Sequence, residues 1–148
     1  MTAMATVDIA WPKKTREIRN SLCDSTRWNW LKLRDDDVVV ATYAKTGTTW
    51  TQQIVGQLVS QGEETQLFET SPWVDFRAVP LELILEGLEN QKHRRFLKTH
   101  LPIDALVFSP HAKYLYIGRD GRDVAWSMYN HHAGFTTTAY NLINNVMS

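Results

Sequence analysis

The chain has 148 residues, 16 of them basic and 16 acidic, for a formal net charge of zero. That length suits one domain with a sizeable core, and the charge balance argues against a general nucleic-acid or membrane-surface binder, which would carry a basic field. A single cysteine, Cys23, excludes an intrachain disulfide and suits a reducing compartment.

In chain order, residues 1–14 read as a loose arm, with Pro12 as a breaker. The arm has no basic flank followed by an apolar core, so no signal peptide is evident. No apolar run is long enough to cross a bilayer, and the expected location is the cytoplasm. Residues 16–22 read as a short helix. The Asp35-Asp36-Asp37 run marks a turn before a first strand at 38–42, rich in Val. A helix is expected at 51–60, where Ile54, Val55, Leu58 and Val59 form an apolar stripe at helical spacing. Another is expected at 80–88, with Pro80 at its start and Gly87 near its end. Strands follow at 96–99 and 114–117. A last helix starts at Asp120 or Asp123 and runs to about His131. Strands alternating with helices predict parallel crossovers and an α/β sandwich, with ligands beyond the carboxyl ends of the strands.

The segment Thr42-Tyr43-Ala44-Lys45-Thr46-Gly47-Thr48-Thr49-Trp50 lies at such an end. A buried strand, a tight loop with one Gly and a helix start together make an anion cradle. Gly47 lets the backbone turn, and the free N–H groups and dipole of the helix start favour negative charge. Lys45 adds a cation, and Thr46, Thr48 and Thr49 add hydroxyls. The loop is not a Walker A motif, in which Lys directly follows the second Gly. Here Lys45 precedes the only Gly by two positions. Nor does an apolar strand clearly end in the acidic residue that a magnesium-nucleotide kinase needs.

The loop resembles the 5′-phosphosulfate loop of the cytosolic-type sulfotransferases, with Ala44 and Thr46 where the family usually has Pro and Ser. Two further segments carry the resemblance. Arg95-Phe96-Leu97-Lys98-Thr99-His100-Leu101-Pro102 is similar to the strand that ends in Lys-Thr-His-Leu-Pro, and the run from Tyr114 to Ser127 is similar to the 3′-phosphate segment. Three motifs in family order are far more specific than one. The resemblance covers roughly residues 28–129. It implies a P-loop-NTPase-like three-layer sandwich with a parallel sheet flanked by helices. The implied donor is 3′-phosphoadenosine 5′-phosphosulfate (PAPS), with PAP as product and no metal. His100 would be the general base, Lys45 would neutralise the leaving phosphate, and Lys98 would assist at the transferring group. Lys45, Thr46, Gly47, Thr48 and Thr49 would hold the 5′-phosphate. Trp50 would stack on adenine, and Arg119 with Ser127 would hold the 3′-phosphate. The acceptor would be a hydroxyl or amine of a small molecule.

Blander readings stand beside these. Lys98 can simply meet water at a strand end, and Arg119 can pair with Asp120 or Asp123. Ser127 can be a neutral helix position, and Trp50 can belong to the core. Cys23 reads as a structural thiol. His93, His111, His131 and His132 read as structural or surface residues, and the last two, on different helix faces, make a poor metal site. Trp28, Trp30, Trp73 and Phe76 read as core or rim aromatics, some lining an acceptor pocket. Family members continue well past the position of Ser148, so residues 1–148 read as the N-terminal part of a single, truncated domain. Two alternatives follow: a nucleotide-binding or interaction module without turnover, and, disfavoured by its loop, a nucleotide kinase. A short sheet also predicts an open strand edge and self-association through it.

Overall fold

The computed structural model describes residues 10–63 and 66–141. Three parallel strands, β1 (Val38–Thr42), β2 (Phe96–Thr99) and β3 (Lys113–Ile117), lie in the order β2-β1-β3. Val38 pairs with Phe96 on one side and Lys113 on the other. The Val38-Val39-Val40 run is buried on both faces, which is why the central strand reads as a continuous apolar stretch and not an alternating one.

Helices cover both faces, giving three layers. On one, Val38, Val40 and Phe96 pack with Val55 of α1 (Thr48–Val59). On the other, Val39 and Leu97 pack with Trp28, Leu31 and with Ile84 and Leu88 of α3 (Leu81–Asn90). A short α2 (Leu67–Thr70) lies between α1 and α3 in sequence, and α4 (Gly121–Ala133) follows β3. The bases of β1 and β2 are joined by a buried ion pair. Arg95 donates from Nε to Asp37 Oδ1 (2.9 Å) and from Nη2 to Asp37 Oδ2 (2.6 Å), and both side chains are withdrawn from solvent.

Several expectations need correction. Residues 16–22 are not helical. The Asn20 side-chain oxygen accepts the N–H groups of Leu22 (2.9 Å) and Cys23 (2.8 Å), a local bond that competes with helix formation. The turn of helix comes later, as a 3-10 helix at Ser25–Trp30 capped by Asp24. Helix α1 starts at Thr48, three residues before the expected 51, because Gly47 sits as its cap at φ +105°. Its buried face is Thr48, Gln52, Val55 and Gly56, whereas Ile54 (53% exposed) and Leu58 (76%) of the expected stripe face outward. Trp30 is also exposed, while Trp28 is fully buried. Residues 1–9 of the expected arm lie outside the described residues. Lys14, at its end, is tied down by donating to the Ser25 carbonyl (3.2 Å) and Asn29 Oδ1 (3.0 Å). Asp120, not Asp123, caps α4 by accepting the Arg122 N–H at 2.9 Å. Among the described residues no helix is long and apolar enough to cross a membrane.

Candidate anion site and transfer centre

The chain leaves β1 toward β2 on one side, and β3 then pairs with β1 on the other. The carboxyl end of β1 is thus a topological switch point, where an open α/β sheet offers a crevice. The loop that starts at Tyr43 occupies it. Two of its residues take left-handed backbone angles: Lys45 at φ +64° and Gly47 at φ +105°. For lysine this conformation is costly, and backbone strain of this kind concentrates at ligand clamps.

The loop is held from within. Thr46 donates its hydroxyl to the Tyr43 carbonyl at 2.7 Å, and the Thr42 and Thr48 hydroxyls bond each other at 2.5 Å. These threonines therefore shape the cradle, and Thr49, exposed, is the hydroxyl turned to solvent. The Thr51 N–H bonds back to the Gly47 carbonyl at 3.0 Å and begins the helical ladder. The N–H groups ahead of it belong to the first turn, which has no intrahelical acceptors for them. Trp50 projects from this turn and is 78% exposed, so it is not a core residue.

On the β3 side, Arg119 Nη1 donates to the Lys45 carbonyl at 3.1 Å, bringing the guanidinium to the loop. Its Nε also lies 3.8 Å from Asp123, the pairing anticipated as its bland role. Thr46 and Arg119 share an open cavity of about 480 Å³ with Ile117, Val124 and Met128. Ser127 stands half-buried on α4 and makes no side-chain hydrogen bond among the described residues. No hydrogen bond among the described residues ties it to the loop.

On the β2 side, His100 Nδ1 lies 2.7 Å from the Thr42 carbonyl. A carbonyl only accepts, so Nδ1 carries the proton and Nε2 keeps the basic lone pair. Burial pushes the imidazole below its ordinary value, against the Thr42 bond, and Lys98 lowers it further. Burial likewise lowers the Lys98 ammonium, against the pull of Asp75. Lys98 Nζ rests 4.4 Å from the centre of the Trp73 ring, and His100 meets the same ring edge-on at 4.8 Å. The Cys23 thiol is buried and pushed well above its ordinary range by desolvation and by Asp75, which suits a structural thiol and not a nucleophile.

Asp75 carries no signal in the sequence, and Trp73 shows there only as a core or rim aromatic. Trp73 and Asp75 lie in an irregular segment with no motif to mark them, and only tertiary packing brings them to Lys98. His131 sits on α4, where partial desolvation, Lys45, His132 and Lys98 together lower its imidazole. It stands exposed, as a surface histidine does.

Comparison with known proteins shows the family. The sequence profile of the family described as "Sulfotransferase domain" matches residues 35–147. A glycolipid sulfotransferase of Mycobacterium tuberculosis is 43% identical over 112 residues, covering 74% of this chain and 34% of the relative. Human sulfotransferase 2B1 is 34% identical over 116 residues, covering 75% and 30%. The chain thus spans about a third of the length of the curated relatives it matches. Among solved structures, retinol dehydratase in a complex with retinol and PAP superposes with a TM-score of 0.59 at 25% identity, over 73% of this chain and 42% of that one. Mouse sulfotransferase SULT7A1 complexed with PAP matches in fold, with a TM-score of 0.59 at 21% identity over 81% and 43%.

Proposed function

Because the chain belongs to the sulfotransferase domain family, we propose that it binds PAPS and moves its sulfuryl group to a hydroxyl or amine of a small-molecule acceptor. The observation that carries this reading is the placement of Lys45, Lys98 and His100 around one switch point, with Arg119 bonded to the same loop. PAPS fits the donor set: a helix start with unpaired N–H groups for the 5′-phosphate, an exposed indole for the adenine, and a guanidinium for the 3′-phosphate. When bound, it supplies the activated sulfuryl group.

His100 Nε2 takes the acceptor proton as the acceptor oxygen or nitrogen bonds to sulfur. The bond from sulfur to the phosphate oxygen breaks, and Lys45 offsets the charge that grows on that oxygen. Lys98, held over Trp73, stands ready for the sulfuryl oxygens. Trp73 and Phe76, stacked at 4.5 Å, offer an aromatic wall for an acceptor beside His100. The match to a glycolipid sulfotransferase makes a sugar hydroxyl one acceptor to assay.

The first test is calorimetry with PAP and with ADP. We expect tighter binding of PAP, and Arg119→Ala should remove that preference, a loss of about tenfold or more in Kd for a charge-assisted contact. Equal affinity for the two ligands would remove the 3′-phosphate role. A second reading is nucleotide binding without turnover. PAP binding with no product from any acceptor would select it.

A further inference from the structure

Asp75 is fully buried, and both of its carboxylate oxygens are occupied by indoles. Oδ1 accepts the Trp28 N–H at 3.1 Å and Oδ2 accepts the Trp73 N–H at 2.8 Å. Trp28 is core. Trp73 is the ring on which Lys98 and His100 both rest. Its backbone is fixed to the same strand: Lys98 N–H donates to the Pro72 carbonyl at 3.0 Å, and Val74 N–H to the Lys98 carbonyl at 3.3 Å. Phe76 stacks on its far side, with ring planes 5° apart. The ring is thereby held at its N–H, its face and its backbone.

We propose that Asp75 is a positioning residue: by fixing the Trp73 indole it sets where the Lys98 ammonium and the His100 imidazole stand. A buried carboxylate is a costly way to anchor a core indole alone, because desolvating it must be offset by hydrogen bonds and a nearby cation. Here that cation is Lys98, drawn to the indole face and toward Asp75 at once. The roles of Lys98 and His100 rest on the transfer reading above; the geometry that links them to Asp75 does not.

The test is NMR on the full chain. The Lys98 side chain lies over an indole face, so its terminal methylene protons should be shifted upfield by the ring current. In Asp75→Asn the amide turns a donor toward one indole N–H, and the Trp73 anchor or the Trp28 anchor must give way. We expect the Lys98 upfield shift to be lost. His100 should titrate lower still, because Lys98 and Asp75 are the charged groups that act on it and only the like charge would remain. Trp28→Phe is the control: it removes the core bond, lowers stability, and should leave both signals in place. If Asp75→Asn does not fold, Trp73→Phe keeps an aromatic ring but removes the N–H that reaches Asp75 together with part of the indole, and His100 should then titrate away from its parental value. The proposal is overturned if folded Asp75→Asn or Trp73→Phe leaves the His100 titration unchanged, or if Trp28→Phe disturbs both signals equally. These signals need no turnover, so absence of PAP binding and of transfer would sink the proposed function and leave this assignment to the spectra.

Discussion

At the residue scale, the general-base role proposed for His100 rests on one hydrogen bond. Its Nδ1 is engaged by the Thr42 carbonyl, so one nitrogen remains to accept a proton. His100→Ala should cut turnover by ~10²–10⁴-fold, the usual cost of losing a general base, while PAP affinity stays nearly parental. Steady-state rates beside calorimetry would check this, and normal turnover would remove His100 from the mechanism. Its lowered pKa has a defined sign. The base is neutral above a folded value that lies below the ordinary 6.5, so the acid limb of the rate profile should fall at a pH lower than free histidine gives. For stability, the unfolded chain binds more protons between the two values. The His100 contribution is therefore intact above the unfolded value and lost as pH falls toward the folded one. The position of His100 at the end of β2 was legible because a histidine two positions after Lys98 closes an apolar strand. Asp75 was not legible, because its partners Trp28 and Trp73 lie at unrelated spacings and meet only through packing.

At the element scale, strands were easier to read than helices. The Val38-Val39-Val40 run and the Phe96-Leu97 pair bury on both faces, and a strand buried on both faces needs only continuous apolarity to be seen. Helix boundaries depended on hydrogen bonds that composition does not encode. Asn20 diverts 16–22 from helix, and Gly47 starts α1 early. The bases of β1 and β2 depend on the Arg95–Asp37 pair, so Arg95→Met should leave Asp37 buried without its partner. A cost of about 3–5 kcal/mol is expected in urea or thermal unfolding, as for other buried pairs broken on one side. The Arg34 N–H already donates to Asp37 Oδ2 at 2.8 Å, so a loss near zero would mean that solvent or the Arg34 guanidinium offsets the carboxylate charge. Gly47→Ala has a different physics. No atom stands within 4 Å of the position a Cβ would take, so only the positive φ is strained. A cost of about 1–2 kcal/mol and a loss of PAP affinity should appear together, since the same turn presents the loop N–H groups.

At the scale of the whole molecule, the sheet is unevenly covered. The outer edge of β2 is zippered to Pro72 and Val74. The outer edge of β3 pairs with no strand among the described residues, and Leu115 and Tyr116 (81% exposed) stand on it. No described residue of α4 is buried, although it carries Trp126 (67% exposed) and Tyr129. An open parallel edge beside exposed aromatics seeks a partner. We expect the purified 148-residue chain to self-associate, with a mass by light scattering that rises with concentration. A compact monomer with cooperative unfolding and tight PAP binding would show that this edge needs no cover.

The sequence by itself determined the chain order of the three motifs, the strand–loop–helix that carries Lys45 and Gly47, and the family, because each rests on neighbours along the chain: a Gly two positions after a Lys, a His two positions after a Lys, an Arg after an apolar strand. Tertiary structure decided which of those residues face one another. It used the Thr46 and Thr48 hydroxyls inside the loop, exposed Trp50, drew Arg119 to Lys45, left Ser127 without a hydrogen-bond partner among the described residues, and brought Trp73, bonded to the buried Asp75 carboxylate, under Lys98 and His100. The physical reason is that local motifs are encoded by adjacency, whereas burial, pKa and orientation depend on which distant segments desolvate a group. Sequence spacing carries no record of that.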